Sequence, residues 1–198
     1  MKRLLFFVCL MICCLSGFAQ QNNNEVDSVY KTLKSSKAAI DSYSEKNPQR
    51  VLVYTKLPGK TTLKKLGDNE DWPELRDYDY NVVRGASGKI VKVVQMPFVP
   101  SGDWFIAFSY YFDDNGNIFA FERMINGFNN DVKGGIIYEK QIKYYTSPFK
   151  LVKTVYSLKR KDGKPLKNRM NLDGVRPEYK IYQGIASCRK AFNLPANL

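Results

Sequence analysis

Histidine is absent from this chain and cysteine is scarce: among 198 residues there is no His, and the four Cys are Cys9, Cys13, Cys14 and Cys188. Without an imidazole, neither a Ser-His-Asp triad nor a Cys-His pair can form within the chain. Zinc sites built from His and Cys are excluded by inventory. Cys188 has no histidine to lower its pKa and lies in an apolar stretch, the setting of an inert thiol. Carboxylates, lysine and tyrosine are the side chains left for catalysis.

The other three cysteines fall in the first 14 residues, inside a segment with its own signature. Lys2 and Arg3 form a basic start, Leu4 to Phe18 is an almost unbroken apolar run, and Gly17-Phe18-Ala19 offers small residues at its exit. This pattern predicts a secretory signal peptide over residues 1–19, with Gln20 as the first mature residue. Lipid attachment requires a small residue just before the cysteine, and Val8, Ile12 and Cys13 stand there instead. The expected destination is the periplasm, the cell surface or the extracellular space. Once the leader is removed, one thiol remains and no intrachain disulfide is possible. No later apolar run approaches the roughly 20 residues of a membrane span. Residues 20–198 suffice for a single domain with a sizeable core, preceded by a polar tether over 20–24.

Charge of one sign is in excess. Lys and Arg number 31 against 19 Asp and Glu, a formal net charge of +12, of which Lys2 and Arg3 belong to the leader. Outside the cytoplasm, such a field attracts acidic polysaccharide, lipid headgroups or cell-wall polymer, not nucleic acid. The densest basic groupings are Lys60 with Lys64-Lys65, Lys159-Arg160-Lys161 with Lys164 and Lys167, and Arg189-Lys190. Solvation and protection of sheet edges also account for lysine at such positions.

Val26, Val29, Tyr30, Leu33, Ile40 and Tyr43 recur at three- and four-residue intervals with one break near Lys37, which predicts an amphipathic helix over about 25–46. Asn24 is its expected N-cap, and Lys46-Asn47-Pro48 its stop. Strand patterns follow: Val51 to Thr55, Tyr78 to Arg84, Lys89 to Met96, Trp104 to Phe112, Ile118 to Ile125, Ile136 to Tyr145 and Leu151 to Leu158. Residues 56–77 are the least regular, and 179–192 fit either a short helix or a strand. Asp113-Asp114-Asn115-Gly116-Asn117 is the clearest hairpin turn. The glycines follow no fixed period, so the segments form no repeat array. The expected fold is α+β: an N-terminal amphipathic helix on a mainly antiparallel meander sheet, with a short C-terminal helix as one reading of 179–192.

If Gly116 closes the turn, Phe112 falls opposite Ile118, and counting backward pairs Tyr110 with Ala120 and Phe108 with Glu122. Both faces of this hairpin are rich in apolar groups, so it is expected near the centre of the sheet. Glu122 then stands among large apolar neighbours, either as a perturbed carboxylate or as half of a salt bridge.

Several motifs fail on spacing. Gly59-Lys60-Thr61 resembles the end of a P-loop, but Tyr54 holds the place of the required first glycine. Asp113, Asn115 and Asn117 match the first ligands of a calcium loop, but Ile118 and Met124 replace its glycine and glutamate. No cofactor is implied. A glycosidase needs two carboxyl groups facing across a cleft, and Glu122, Glu139 and Glu178 are the nominees.

Aromatic residues make up 14% of the chain, and a tyrosine or tryptophan on a sheet can pack in a core, stack a sugar or anchor a protein. The candidate binding residues are Trp72, Tyr78, Tyr80, Lys64, Lys65, Lys159, Arg160 and Lys164. Together these features point to an exported non-catalytic binding module for a glycan, an anionic envelope polymer or a protein. The alternatives are a carboxylate-dependent glycoside hydrolase, or a protein-sequestering inhibitor that presents the loop 67–73.

Overall fold

The computed structural model describes residues 25–67, 70–128, 135–166 and 178–198. The expected leader 1–19, the expected tether 20–24 with the expected cap residue Asn24, and Lys167 lie outside the described residues. Helix α1 spans residues 25–46, as the spacing predicts, and ends before a 3-10 turn at Pro48–Arg50. Eight strands follow: β1 (Val51–Lys56), β2 (Lys64–Leu66), β3 (Tyr78–Arg84), β4 (Ile90–Pro97), β5 (Trp104–Phe112), β6 (Ile118–Phe128), β7 (Ile136–Thr146) and β8 (Lys150–Arg160). Helix α2 (Ile185–Phe192) follows them and settles the ambiguous segment: 179–182 are irregular and only the later part is helical.

All pairings are antiparallel, in the order β2-β1-β3-β4-β5-β6-β7-β8. From β3 onward the sheet is a meander, and β5 and β6 lie well inside it, as their two apolar faces require. The three-residue β2, within the stretch read as irregular, is an edge strand. Its short Lys-Lys-Leu run is too brief for a period-two pattern to show.

The register of β5 against β6 differs from the sequence expectation. Phe112 does pair with Ile118, but Tyr111 pairs with Ala120, Tyr110 with Phe121, Ser109 with Glu122 and Phe108 with Arg123. An irregularity between Tyr111 and Phe112 leaves Phe119 as an extra residue, a β-bulge next to the turn. Shifting register by one residue sends the opposing side chains to the other face. Glu122 therefore shares a face with Ser109 and Tyr111, and Arg123 takes the face expected for Glu122.

Each face has its own cover. On one, Tyr80, Val82, Val93, Ile106, Phe108, Tyr110, Phe121 and Ile137 form the main core, closed by Cys188 and Phe192 of α2 and by Tyr179, Tyr182 and Leu194. On the other, Tyr111, Phe119, Ala120 and Tyr144 pack against Tyr30, Leu33 and Ile40 of α1. These are called below the tail side and the helix side.

Gly127 on β6 lies under the Trp104 ring, where an added Cβ would fall 2.0 Å from Trp104 Cε3. Gly127→Val must therefore displace the indole. It is expected to cost about 1–3 kcal/mol of stability by urea denaturation; unchanged stability would show that the ring does not need this gap.

Candidate binding surfaces

Glu122 is buried on the helix side, where its Oε2 lies 2.8 Å from Lys37 Nζ and its Oε1 lies 3.6 Å from Lys140 Nζ. Lys37 is the residue that breaks the apolar spacing of α1, and the two local anomalies are each other's partners. Lys37 Nζ also donates to Asp41 Oδ2 at 2.8 Å, and Lys92 Nζ and the Tyr111 hydroxyl donate to Asp41 Oδ1 at 2.7 and 2.9 Å. Burial works against the Lys37 ammonium, but Glu122 and Asp41 outweigh it and hold its pKa above the ordinary 10.5. Burial likewise works against the Asp41 carboxylate, and the hydrogen bonds and charges of Lys37 and Lys92 outweigh it, holding Asp41 below 3.8. Burial, then the charges of Glu122 and Asp41, keep Tyr111 well above its ordinary value as a neutral donor. This network pins α1 across β4, β5 and β6.

The other nominated carboxylates do not join Glu122. Glu139 is buried on the tail side, 2.7 Å from Arg123, and Glu178 is exposed. Glu122 and Glu139 project from opposite faces of the sheet, so the pair a glycosidase needs does not form. Asp113 is also committed. Its Oδ1 accepts the N–H groups of Asn115 and Asn117 at 3.0 and 2.8 Å, the bonding of an Asx turn. Among the described residues, no group of three or more His, Cys, Asp and Glu is placed to hold a metal ion.

The basic candidates divide. Lys64 and Lys65 are on β2, one edge of the sheet, while Lys159 and Arg160 end β8, the other edge. Arg160 is paired with Asp162 at 2.9 Å, and Lys164 lies 4.0 Å from the same carboxylate across the 161–163 turn. Arg189 and Lys190 of the third grouping line a cleft whose described lining holds none of Lys60, Lys64 and Lys65. This cleft, of about 880 Å³, lies between Thr61, Thr62 and Leu63 on one wall and Ala186, Arg189, Lys190 and Asn193 on the other. Among the described residues, no Asp or Glu lines it.

The local sequence explains the shape of this cleft. Leu63 packs into the tail-side core, drawing the 57–63 connection toward α2. Lys65 pairs with Tyr54, a residue of that core, so its side chain faces α2; Lys64 faces the other way and pairs with Glu70 at 3.4 Å. Helix α2 ends on Asn193 in the left-handed conformation (φ 54°), which asparagine tolerates well, and Leu194 turns back into the core. Arg189 Nη2 then donates to the carbonyls of Pro195, at 2.7 Å, and Ala196, holding the tail as the far wall. Arg189 and Lys190 also stand in the last turn of α2, where cations offset the helix dipole.

The aromatic candidates divide as well. Tyr80 is a core residue, in contact with Phe192 at 5.2 Å between ring centroids, and Tyr78 packs at the core margin. Trp72 is 48% exposed. Its other face stacks on Arg76, which also lies 4.0 Å over Phe98 and donates to Asp79 at 2.9 Å. Sequence reasoning missed Phe105, Phe128 and Tyr138, which lie on the helix side beyond α1 and are 44%, 54% and 40% exposed. Alternation alone could not find them, since both faces of β5 and β6 look apolar.

Comparison with known protein families, with characterised proteins and with solved structures finds no match. Among the described residues, no helix is long and apolar enough to cross a membrane.

Proposed function

We propose that the chain is an exported, non-catalytic binding module whose ligand is an anionic envelope or secreted polymer, held in the cleft between the 61–63 segment and α2. One observation carries this reading: Arg189 and Lys190 line a cleft whose described lining holds no Asp or Glu, and Lys60 and Lys65 lie close in sequence to its opposite wall, Thr61 to Leu63. Thr61, Thr62 and Asn193 add hydroxyl and amide groups suited to a sulfate, phosphate or uronate. The basic start, apolar run and small-residue exit of residues 1–19 support delivery to that compartment. Without Lys2 and Arg3 of the leader, the 31 Lys and Arg fall to 29 against 19 Asp and Glu, a formal net charge of +10, which favours encounter with such a polymer.

The test is retention on a sulfated-polysaccharide resin, with the leader removed. Elution should fall steeply with salt, because exposed charges are screened at about 10 Å in 0.1 M salt. The exposed double variant Lys65→Glu/Lys190→Glu should elute at markedly lower salt, whereas Lys161→Glu/Lys164→Glu, in the turn at the opposite edge, should elute nearer to wild type. Equal losses from the two doubles would show that only net charge matters and would overturn the reading.

A further inference from the structure

The cleft uses the tail side of the sheet; a separate feature occupies the helix side. Lys37, Asp41 and Tyr30 of α1 contact Glu122, Tyr111 and Tyr144, so the helix lies across the end of the sheet near the β5–β6 turn. Four residues further along the strands, about 13 Å from the Ser109–Glu122 pair, the face carries the exposed Phe105, Phe128 and Tyr138. There the register sets Phe105, Asn126, Tyr138 and Lys159 side by side on β5, β6, β7 and β8. Phe128 stands beside this row on the same face of β6, and Lys140 extends from β7 toward α1. Phe105 and Tyr138 are two strand spacings apart, about 10 Å, close to the length of two linked pyranose rings.

We infer that this half of the helix-side face binds an acidic oligosaccharide laid across the strands, with sugar rings on Phe105 and Tyr138. The chemistry of the row selects this occupant. Aromatic faces stack on the C–H faces of sugars. Lys159 supplies charge complementary to a uronate or sulfate at the β8 end of the row. A protein strand would need an unpaired edge, whereas Tyr138 stands on β7, which pairs on both sides with Asn126 of β6 and Lys159 of β8.

The proposal is independent of the cleft, and the test separates the two. Titrating the leader-free protein with a galacturonic acid hexamer and, separately, with a neutral N-acetylglucosamine hexamer should give saturable binding of the acidic one. Phe105→Ala/Tyr138→Ala should weaken it by about tenfold, from the loss of two ring contacts, with far-UV circular dichroism unchanged because both residues are exposed. Tyr138→Phe, which keeps the ring, should restore most of the affinity lost at that position. Lys159→Glu should weaken the acidic hexamer while leaving the neutral one unaffected, and Lys65→Glu/Lys190→Glu should leave the stacking contribution in place. Absence of saturable binding by the acidic hexamer would overturn the inference. So would binding abolished by the Lys65/Lys190 variant and untouched by the Phe105/Tyr138 variant, or equal binding of both hexamers with no effect of Lys159→Glu.

Discussion

Lys37→Ala is expected to lower the unfolding free energy by about 3–5 kcal/mol, the usual effect of removing one member of a buried ion pair. Lys37 and Glu122 side chains are each 9% exposed and their charges are 2.8 Å apart. Without Lys37, the cation left to Glu122 among the described residues is the half-exposed Lys140 at 3.6 Å. The loss comes from the carboxylate left behind, not from the bond itself. The double variant Lys37→Met/Glu122→Leu should therefore recover most of the stability, since replacing both members of a buried pair by apolar groups is often neutral. Urea denaturation of both variants measures this; a double variant as unstable as Lys37→Ala would mean that packing of the lysine stem, and not charge, holds α1.

The same network predicts a plateau of helix docking with pH. Asp41 is depressed below 3.8, so its contribution is complete above that value and is lost as pH falls through the lower folded one. Lys37 is raised above 10.5, so its contribution is complete below that value and is lost as pH rises through the higher folded one. Between about pH 5 and 10 neither group changes charge, and stability owed to them should be flat.

On the opposite face, Arg123→Ala is expected to produce a loss of similar size, about 3–5 kcal/mol. Arg123 Nη2 lies 2.7 Å from Glu139 Oε1, and the Glu139 side chain is only 1% exposed. The Arg123 guanidinium also lies 5.8 Å from the centroid of the Tyr179 ring, joining β6 to the segment that leads into α2. Because the sheet separates the two ion pairs and they share no ion-pair partner, Lys37→Ala and Arg123→Ala should be close to additive. Strong non-additivity in a double-mutant cycle would indicate that α1 and the tail are coupled through the sheet.

These two residues also mark how much could be read from the chain. Seven of the eight strands, α1 and the central place of the β5–β6 hairpin followed from local patterns, because period-two and 3.6-residue spacings act over a few residues. The face taken by Glu122 did not, because it depends on one extra residue at Phe119. A hydrophobic pattern fixes register only where one face is polar, and this hairpin is apolar on both. The break at Lys37 and the isolated Glu122 were each visible alone. Their pairing is a tertiary fact, set by where α1 crosses the sheet. The cleft is non-local in the same sense: its walls are joined by Leu63 and by the tail that Arg189 holds, and neither contact leaves a short-range signal. The exposed aromatics escaped notice because exposure at one end of a strand depends on how far the covering helix reaches.

The most direct measurement is a backbone amide NMR titration of the leader-free protein with a sulfated hexasaccharide at low salt, followed by back-titration with sodium chloride. The account predicts that salt-reversible shifts at Thr61, Thr62, Ala186, Lys190 and Asn193 exceed those in the turn 161–164. Shifts largest at Lys161 and Lys164, with the cleft residues unmoved, would contradict it.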